Sequence, residues 1–271
     1  MNIISGKNVM NGRVISRDEI NDLLSGDTAK IYEVIRVIKG SPIFLKEHFE
    51  RMRDSIHLSN VDGDLDFDEF RNSIKLLIKE NTFEDCNIRV SYFYDNEPVT
   101  LFYFIESHYP TKEQFMTGVH TVTAKIHRNN PNVKAFQKSF KEKVEEIMKN
   151  EKAYEVILVN DDDTISEGSR SNIFFVEDNK LVTSPDESVL LGVTRSKVIE
   201  SCKKNGIEVV RRTIMHDELD SYDAAFITGT SNDVLPVKTI DDREYNSADN
   251  ETVKRALKLY LNEMEKEIIM S

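Results

Sequence analysis

Five short stretches carry residue types that could do chemistry. Glu167 opens EGSRSN (167–172), a carboxylate between two apolar strand-like runs, YEVILVN and NIFFV. A buried carboxylate needs a partner, and by itself this glutamate also reads as a surface residue in the turn after DDDT. LLGVTRSKVIE (190–200) sets Gly192 directly before a helix, with Val193 and Thr194 in the first turn. Unpaired N–H groups and the positive dipole end at such a turn hold an anion. ITGTSND (227–233) repeats the theme, with Gly229 permitting close backbone approach and Thr230 and Ser231 adding hydroxyls. Arg51, in EHFERMRDS, lies beside the apolar stripe of Phe49 and Met52, and a guanidinium suits bidentate contact with a phosphate. Lys134, in PNVKAFQKSFKEK, is a candidate desolvated and hence nucleophilic amine, with Lys138, Lys141 and Lys143 as rivals. Each piece alone has a plain alternative: a capped helix, a strand-end turn, a solvated arginine or lysine.

The elements that must position these residues alternate between strand and helix. Asn11-Gly12 in NVMNGRVIS is a strong hairpin signal. IYEVIRVI (31–38) reads as a strand turned at Lys39-Gly40-Ser41, and KEHFERMRDSIHL as a helix burying Phe49, Met52 and Ile56. A second helix, 66–80, starts at DFDEF and buries Phe70, Ile74, Leu77 and Ile78. NIRVSYFY and VTLFYFIES are strands around the turn DNEP, and VHTVTAKI is another. The polar HRNNPN (127–132) is the expected linker. Beyond it come a helix with Phe136, Phe140, Val144 and Ile147 in register, then YEVILVN and NIFFVEDNKLVTS as strands, and the helix TRSKVIESCKKNG. AAFITGT and VLPVKTI are strands, and an amphipathic helix runs over 249–267. The expected organisation is an N-terminal α/β domain, 1–126, a linker, 127–132, and a C-terminal domain, 133–271.

Bulk properties restrict the function. A formal net charge of −12 argues against nucleic acid or an anionic membrane as principal partner. No apolar run approaches the roughly 18 residues that span a bilayer, and MNIISGKNVMNGRV has no basic segment and apolar block of a secretion signal. Cys86 and Cys202 fit no metal spacing and read as reduced core residues of a cytoplasmic protein, and the six histidines are scattered. No protein metal site is expected.

Taken together, NVK (132–134), YEVILVNDDDTISEGSRSNIFFV, LVTSP, LLGVTRSKVIESCKKNGIEV and ITGTSNDVLPV resemble the class IV aminotransferases, the pyridoxal-phosphate enzymes of fold type IV. YEVIRVIKGSPIFLKEHFERM extends the resemblance, more loosely, into the N-terminal half. The resemblance implies a two-domain α+β fold, with a small N-terminal α/β domain and a larger C-terminal domain carrying a barrel-like sheet. It implies pyridoxal 5'-phosphate as cofactor, with Lys134 forming the internal Schiff base and carrying the proton between substrate and cofactor. Glu167 would hydrogen-bond the pyridine nitrogen and keep it protonated, with Gly168 and Ser169 leaving room for the ring. Arg51, the amides around Val193 and Thr194, and Thr230 with Ser231 would hold the phosphate. A homodimer with its active sites between the domains is implied as well.

The resemblance is weaker for the substrate. Tyr32 falls where D-amino-acid members have a tyrosine, but their arginine–histidine pair is not evident in FIESHYPT. Arg36 and Arg89 fall where branched-chain members carry arginines, yet the asparagine–tyrosine pair of that branch is replaced by Lys138 and Ser139. The expected activity is transfer of an amino group between an amino acid, a branched-chain one among the candidates, and a 2-oxo acid. Alternatives are D-amino-acid transamination, pyruvate elimination as in aminodeoxychorismate lyase, and a non-catalytic paralogue.

Overall fold

A computed structural model describes residues 2–25, 30–94, 97–126 and 131–270. The chain divides into two units. The first contains Met1–His108, Val133–Phe136 and Met264–Ser271. It opens with β1 (Lys7–Met10) and β2 (Arg13–Ser16), paired antiparallel with Met10 opposite Arg13. Asn11 and Gly12 sit between them at φ 46° and 75°, the left-handed pair that a tight hairpin requires. Next come α1 (Asp18–Ser25), β3 (Lys30–Ile38), β4 (Ser41–Pro42), α2 (Leu45–Leu58), α3 (Phe67–Lys79), β5 (Cys86–Phe93) and β6 (Val99–Ile105). The strands form a six-stranded sheet in the order β2-β1-β6-β5-β3-β4.

Alternation along β3 and β5 gives this sheet two working faces. Ile31, Ile35, Val37, Ile88 and Val90 belong to one core, which α2 and α3 cover with Phe49, Met52, Ile56, Phe70, Ile74 and Leu77. Phe49, Phe70 and Phe102 meet edge-on at centroid distances of 5.2–5.4 Å. Such contacts add about 0.5–1.5 kcal/mol each to the area they bury. The start of α3 fits the acidic signal read in DFDEF. Asp66 is its N-cap and accepts from the Glu69 N–H at 2.9 Å.

The second unit contains Tyr109–Asn132 and Gln137–Glu263. Its elements are α4 (Lys112–Thr117), β7 (Val119–Lys125), α5 (Lys138–Glu151), β8 (Glu155–Val159), β9 (Thr164–Gly168), β10 (Asn172–Glu177), β11 (Lys180–Thr183) and α6 (Val193–Lys204). They continue with β12 (Val209–Arg211), β13 (Ile214–Met215), β14 (Ala224–Gly229), β15 (Asp233–Ile240), β16 (Arg243–Glu244) and α7 (Glu251–Met270), the last running on into the first unit's residues. The sheet runs β12-β11-β10-β14-β15-β7-β8-β9-β13, with β16 on β15. Val182 of β11 and Ile214 of β13 come from near opposite ends of that order, yet both join one cluster with Ile157, Phe175, Ile227 and Leu235. The sheet therefore curls around its core, in keeping with the barrel-like sheet expected.

Two expectations need correction. The division does not fall at 127–132: residues 109–126 group with the second unit, because β7 pairs in parallel with both β8 and β15. Val133–Phe136 groups with the first unit, because its backbone bonds to β3. For the same reason Phe136 does not head the next helix, and α5 starts at Lys138. Residues 127–130 of the expected linker, and Asp95-Asn96 of the turn DNEP, lie outside the described residues. Replacing the α3 cap, Asp66→Ala, is expected to lower stability by about 1 kcal/mol, read as a shift of the urea midpoint at unchanged slope.

Candidate active site

The first group of candidate residues is built on β3. Val133–Phe136 lies along the outer edge of that strand. Tyr32 N–H donates to the Lys134 carbonyl at 3.1 Å, Phe136 N–H donates to the Lys30 carbonyl at 3.0 Å, and Ile31 bridges Ala135. The Lys134 N–H donates to Ser55 Oγ on α2 at 3.3 Å. This register puts Lys134 beside Tyr32, with Nζ 5.0 Å from the ring centroid. Arg89, opposite Val34 on the neighbouring strand, brings its guanidinium to 3.9 Å from the same centroid. Arg89 is 4% exposed. Lys134, Tyr32 and Arg89 thus come together, two cations about one aromatic ring. Arg36 shares their face and stands four residues further on from Tyr32, roughly 13 Å along the strand. The rivals Lys138, Lys141 and Lys143 are exposed on α5.

Arg51 reaches the opposite face of β3. Its Nε donates to Glu33 Oε1 at 2.7 Å and its Nη2 to Glu33 Oε2 at 2.6 Å, a two-pronged pair. His48 Nδ1 lies 2.8 Å from Glu33 Oε2. Glu33 is fully buried. Burial pushes its carboxyl up, but the Arg51 charge, the bond from His48 and the bonds from Arg51 together outweigh this and bring it to about 2. An ionised Glu33 only accepts, so Nδ1 of His48 carries the proton. Burial in turn depresses the His48 pKa, against the pull of Glu33, leaving a neutral ring at pH 7. Nothing local in the sequence marks His48, but a glutamate at an inward-facing position of IYEVIRVI is a readable signal for Glu33.

The second group is built on β9 and β10. Glu167 is 2% exposed. Its Oε2 accepts from Asn172 Nδ2 at 3.1 Å and from the Leu190 N–H at 3.0 Å. Asn172 also donates to the Leu190 carbonyl at 2.9 Å, tying strand and loop into one frame. Beneath the turn lies Glu155, likewise buried, which accepts from Ser169 Oγ at 2.5 Å, Ser171 Oγ at 2.8 Å and the Val156 N–H at 2.9 Å. This revises the reading of Gly168 and Ser169. A Cβ on Gly168 would fall 2.1 Å from Ser171 Oγ and 3.2 Å from Glu155, and the Ser169 hydroxyl turns to Glu155. The glycine makes room for the chain's own buried carboxylate and hydroxyl.

Val193 and Thr194 are buried in the first turn of α6, whose N-cap, Gly192, has no side-chain cap bond. The Ser196 N–H already reaches Gly192 O, leaving the amides of 193–195 without an intrahelical acceptor. A Cβ on Gly192 would lie 2.1 Å from Asn172 Oδ1, so the helix start packs directly on the Glu167 frame. Across the sheet Asn172 pairs with Thr228, whose hydroxyl is buried without a hydrogen-bond partner. Thr230 and Ser231 follow in the turn between β14 and β15, half-buried, with Tyr154 holding the turn through Asn232 at 2.8 Å. A cavity of about 430 Å³ is lined by Pro131, Asn160, Asp161, Asp162, Ser166, Glu167 and Ser188. Its two aspartates make that mouth a poor place for a phosphate, and the start of α6 a good one. Among the described residues no cluster of three potential metal-ligating side chains is found, and no helix is long and apolar enough to cross a membrane.

Glu33 is the buried group whose removal has the clearest outcome. Glu33→Gln leaves Arg51 without its counter-charge and is expected to cost roughly 3 kcal/mol. The sign of the pH effect follows from the depressed carboxyl: its stabilisation is complete above pH 4.5 and is lost as the pH falls towards about 2. Urea unfolding across that window should be steep in wild type and flatter in the variant.

Residues 30–240 match the family described as amino-transferase class IV. A D-alanine aminotransferase of Bacillus licheniformis is 28% identical over 89% of this chain and 90% of its own length. A putative branched-chain-amino-acid aminotransferase of Methanocaldococcus jannaschii is 30% identical over 87% and 86%. Among solved structures, a putative branched-chain amino acid aminotransferase from Thermotoga maritima superposes with TM-score 0.83 at 26% identity, covering 96% of each chain. The branched-chain amino acid aminotransferase of Thermobaculum terrenum, solved in its PLP form, superposes with TM-score 0.84 at 19% identity, covering 97% of this chain and 94% of that one. The expected fold, cofactor and transaminase activity are borne out, transamination over elimination. The chain belongs to the class IV aminotransferase family and is a pyridoxal-phosphate-dependent transaminase.

Proposed function

We propose that the enzyme moves the amino group of a branched-chain amino acid to a 2-oxo acid, with Lys134 as its catalytic amine. The observation that carries this reading is the grouping of Lys134, Tyr32 and Arg89 about one ring. The coenzyme, when bound, supplies an aldehyde and an electron-withdrawing ring. Lys134 provides the amine that anchors it and then holds or moves a proton at Nζ. Tyr32 and Arg89, on the same face, orient the substrate, the guanidinium taking its carboxylate. Glu167 accepts from the protonated ring nitrogen; a carboxylate this deeply buried is suited to a charged partner. The free amides of α6 and the hydroxyls of Thr230 and Ser231 take the phosphate, as does the outer edge of the Arg51 guanidinium beyond Glu33. These residues fit the coenzyme: a buried carboxylate, an uncapped helix start and an unsatisfied hydroxyl at Thr228 are what an anionic, nitrogen-bearing ligand would complete.

The neutral His48–Glu33–Arg51 group keeps Arg51 fixed. Holding the phosphate rigidly lets binding energy remote from the reacting carbon position it. We place the enzyme in the cytoplasm, where the buried thiols of Cys86 and Cys202 stay reduced, and expect a homodimer. Similarity to the D-alanine aminotransferase favours a second reading, D-alanine as donor. Assays of L-leucine, L-valine and D-alanine with 2-oxoglutarate separate the two. Turnover of the branched-chain donors is expected, and turnover of D-alanine alone would replace the first reading with the second. Lys134→Ala should cut turnover by roughly three orders of magnitude or more. Borohydride reduction of the holoenzyme should label Lys134; label on Lys138 or Lys141 would sink the assignment.

A further inference from the structure

We propose that Arg195 is a positioning residue for Glu167: its buried guanidinium locks the segment whose backbone holds that carboxylate. Arg195 is the third residue of α6 and is 2% exposed. Its Nη2 donates to the Ser184 carbonyl at 2.8 Å and its Nη1 to Asp186 Oδ1 at 2.8 Å. Both acceptors belong to the stretch that runs on to Leu190, the residue whose N–H bonds Glu167 and whose carbonyl bonds Asn172. Ser184 Oγ donates in turn to the Ile165 carbonyl of β9, two residues before Glu167. One guanidinium thus clamps the loop that frames the carboxylate, and only a planar fork can serve both acceptors.

The charges agree. Asp186 also accepts from Arg211 at 2.8 Å, so one aspartate faces two arginines and cannot balance both. Glu167 is a second carboxylate, itself buried, whose charge acts on Arg195. Burial lowers the Arg195 pKa, Asp186 raises it, Arg211 lowers it, and Glu167 is among the charges that raise it again. Arg211 and Asp186 are both well exposed and screened by water, whereas Arg195 and Glu167 are buried. Charges removed from water are screened less than exposed ones.

This inference rests on the reading of Glu167 as the partner of the ring nitrogen. The test therefore compares two ligands: pyridoxal phosphate, and its analogue with carbon in place of the ring nitrogen. Each is titrated into the apoprotein, followed by absorbance, and the ratio of their dissociation constants is the readout. In wild type the nitrogen form binds tighter, and Glu167→Gln should abolish that preference. Arg195→Gln should reduce the ratio about tenfold or more by loosening the donors around Glu167, the scale of one hydrogen bond lost to a charged group. Arg195→Lys, which keeps the charge and loses the fork, should fall between it and wild type. Equal weakening of both ligands, with the ratio at the wild-type value, would mean that Arg195 merely supports the fold and overturns the proposal. If the glutamine variant does not fold, the lysine variant decides: a ratio below wild type supports the proposal and an unchanged one overturns it. A wild-type ratio in Glu167→Gln would instead sink the reading of Glu167 itself.

Discussion

A carboxylate almost wholly withdrawn from water is the constraint around which the second unit is arranged. An ionised glutamate cannot be buried without donors and counter-charge. Glu167 has the Asn172 amide and the Leu190 N–H as donors, and the Arg195 charge acts on it as well. Satisfying it dictates much of the local sequence. Asn172 must be an amide, because it donates to the carboxylate and to Leu190 O together. Gly192 must be bare, because Asn172 occupies the place of its side chain. Gly168 must be bare, because Glu155 and Ser171 fill the space behind the turn. The string EGSRSN is thus largely a description of two buried acids and what keeps them company.

The first unit meets a parallel problem with different means. Glu33 is buried against Arg51 and His48, and because the histidine is neutral the trio carries no net charge. Such a pair gains little over apolar packing and costs heavily when one partner is lost. What it secures is direction: two prongs of the guanidinium are fixed by Glu33, so its remaining N–H groups are fixed as well. Glu155 does the same for the turn after β9, using hydroxyl donors close by, with the Arg170 guanidinium further off at 4.0 Å.

Much of this was legible in the chain because it depends on local pattern. The hairpin at Asn11-Gly12, the cap at Asp66 and the helix after Gly192 follow from propensity and periodicity over a few residues. What remained hidden depends on partners far away in sequence. Val133–Phe136 looks like the approach to a helix, and only β3, far earlier in the chain, makes it strand-like. The membership of 109–126 in the second unit is not visible locally, because β7 finds both of its partners later in the chain. Glu33, Glu155 and Arg195 are single charged letters; their burial is decided by which helix or loop closes over them. Resemblance to a family supplied the order of the motifs, but not the reason for their glycines.

The edge pairing of Val133–Phe136 has one more consequence. Along an extended segment neighbouring side chains point to opposite sides, so sliding this stretch by a single position against β3 would swing the amine of residue 134 away from Tyr32. Two backbone bonds to β3 resist that slide, and a third bond, from the Lys134 N–H to Ser55 Oγ on α2, adds to them. The root of the side chain is therefore stationary, and any travel of its nitrogen is confined to rotations about its own four methylenes. Loop lengths on either side can drift over evolutionary time only where the phase of these four residues is preserved.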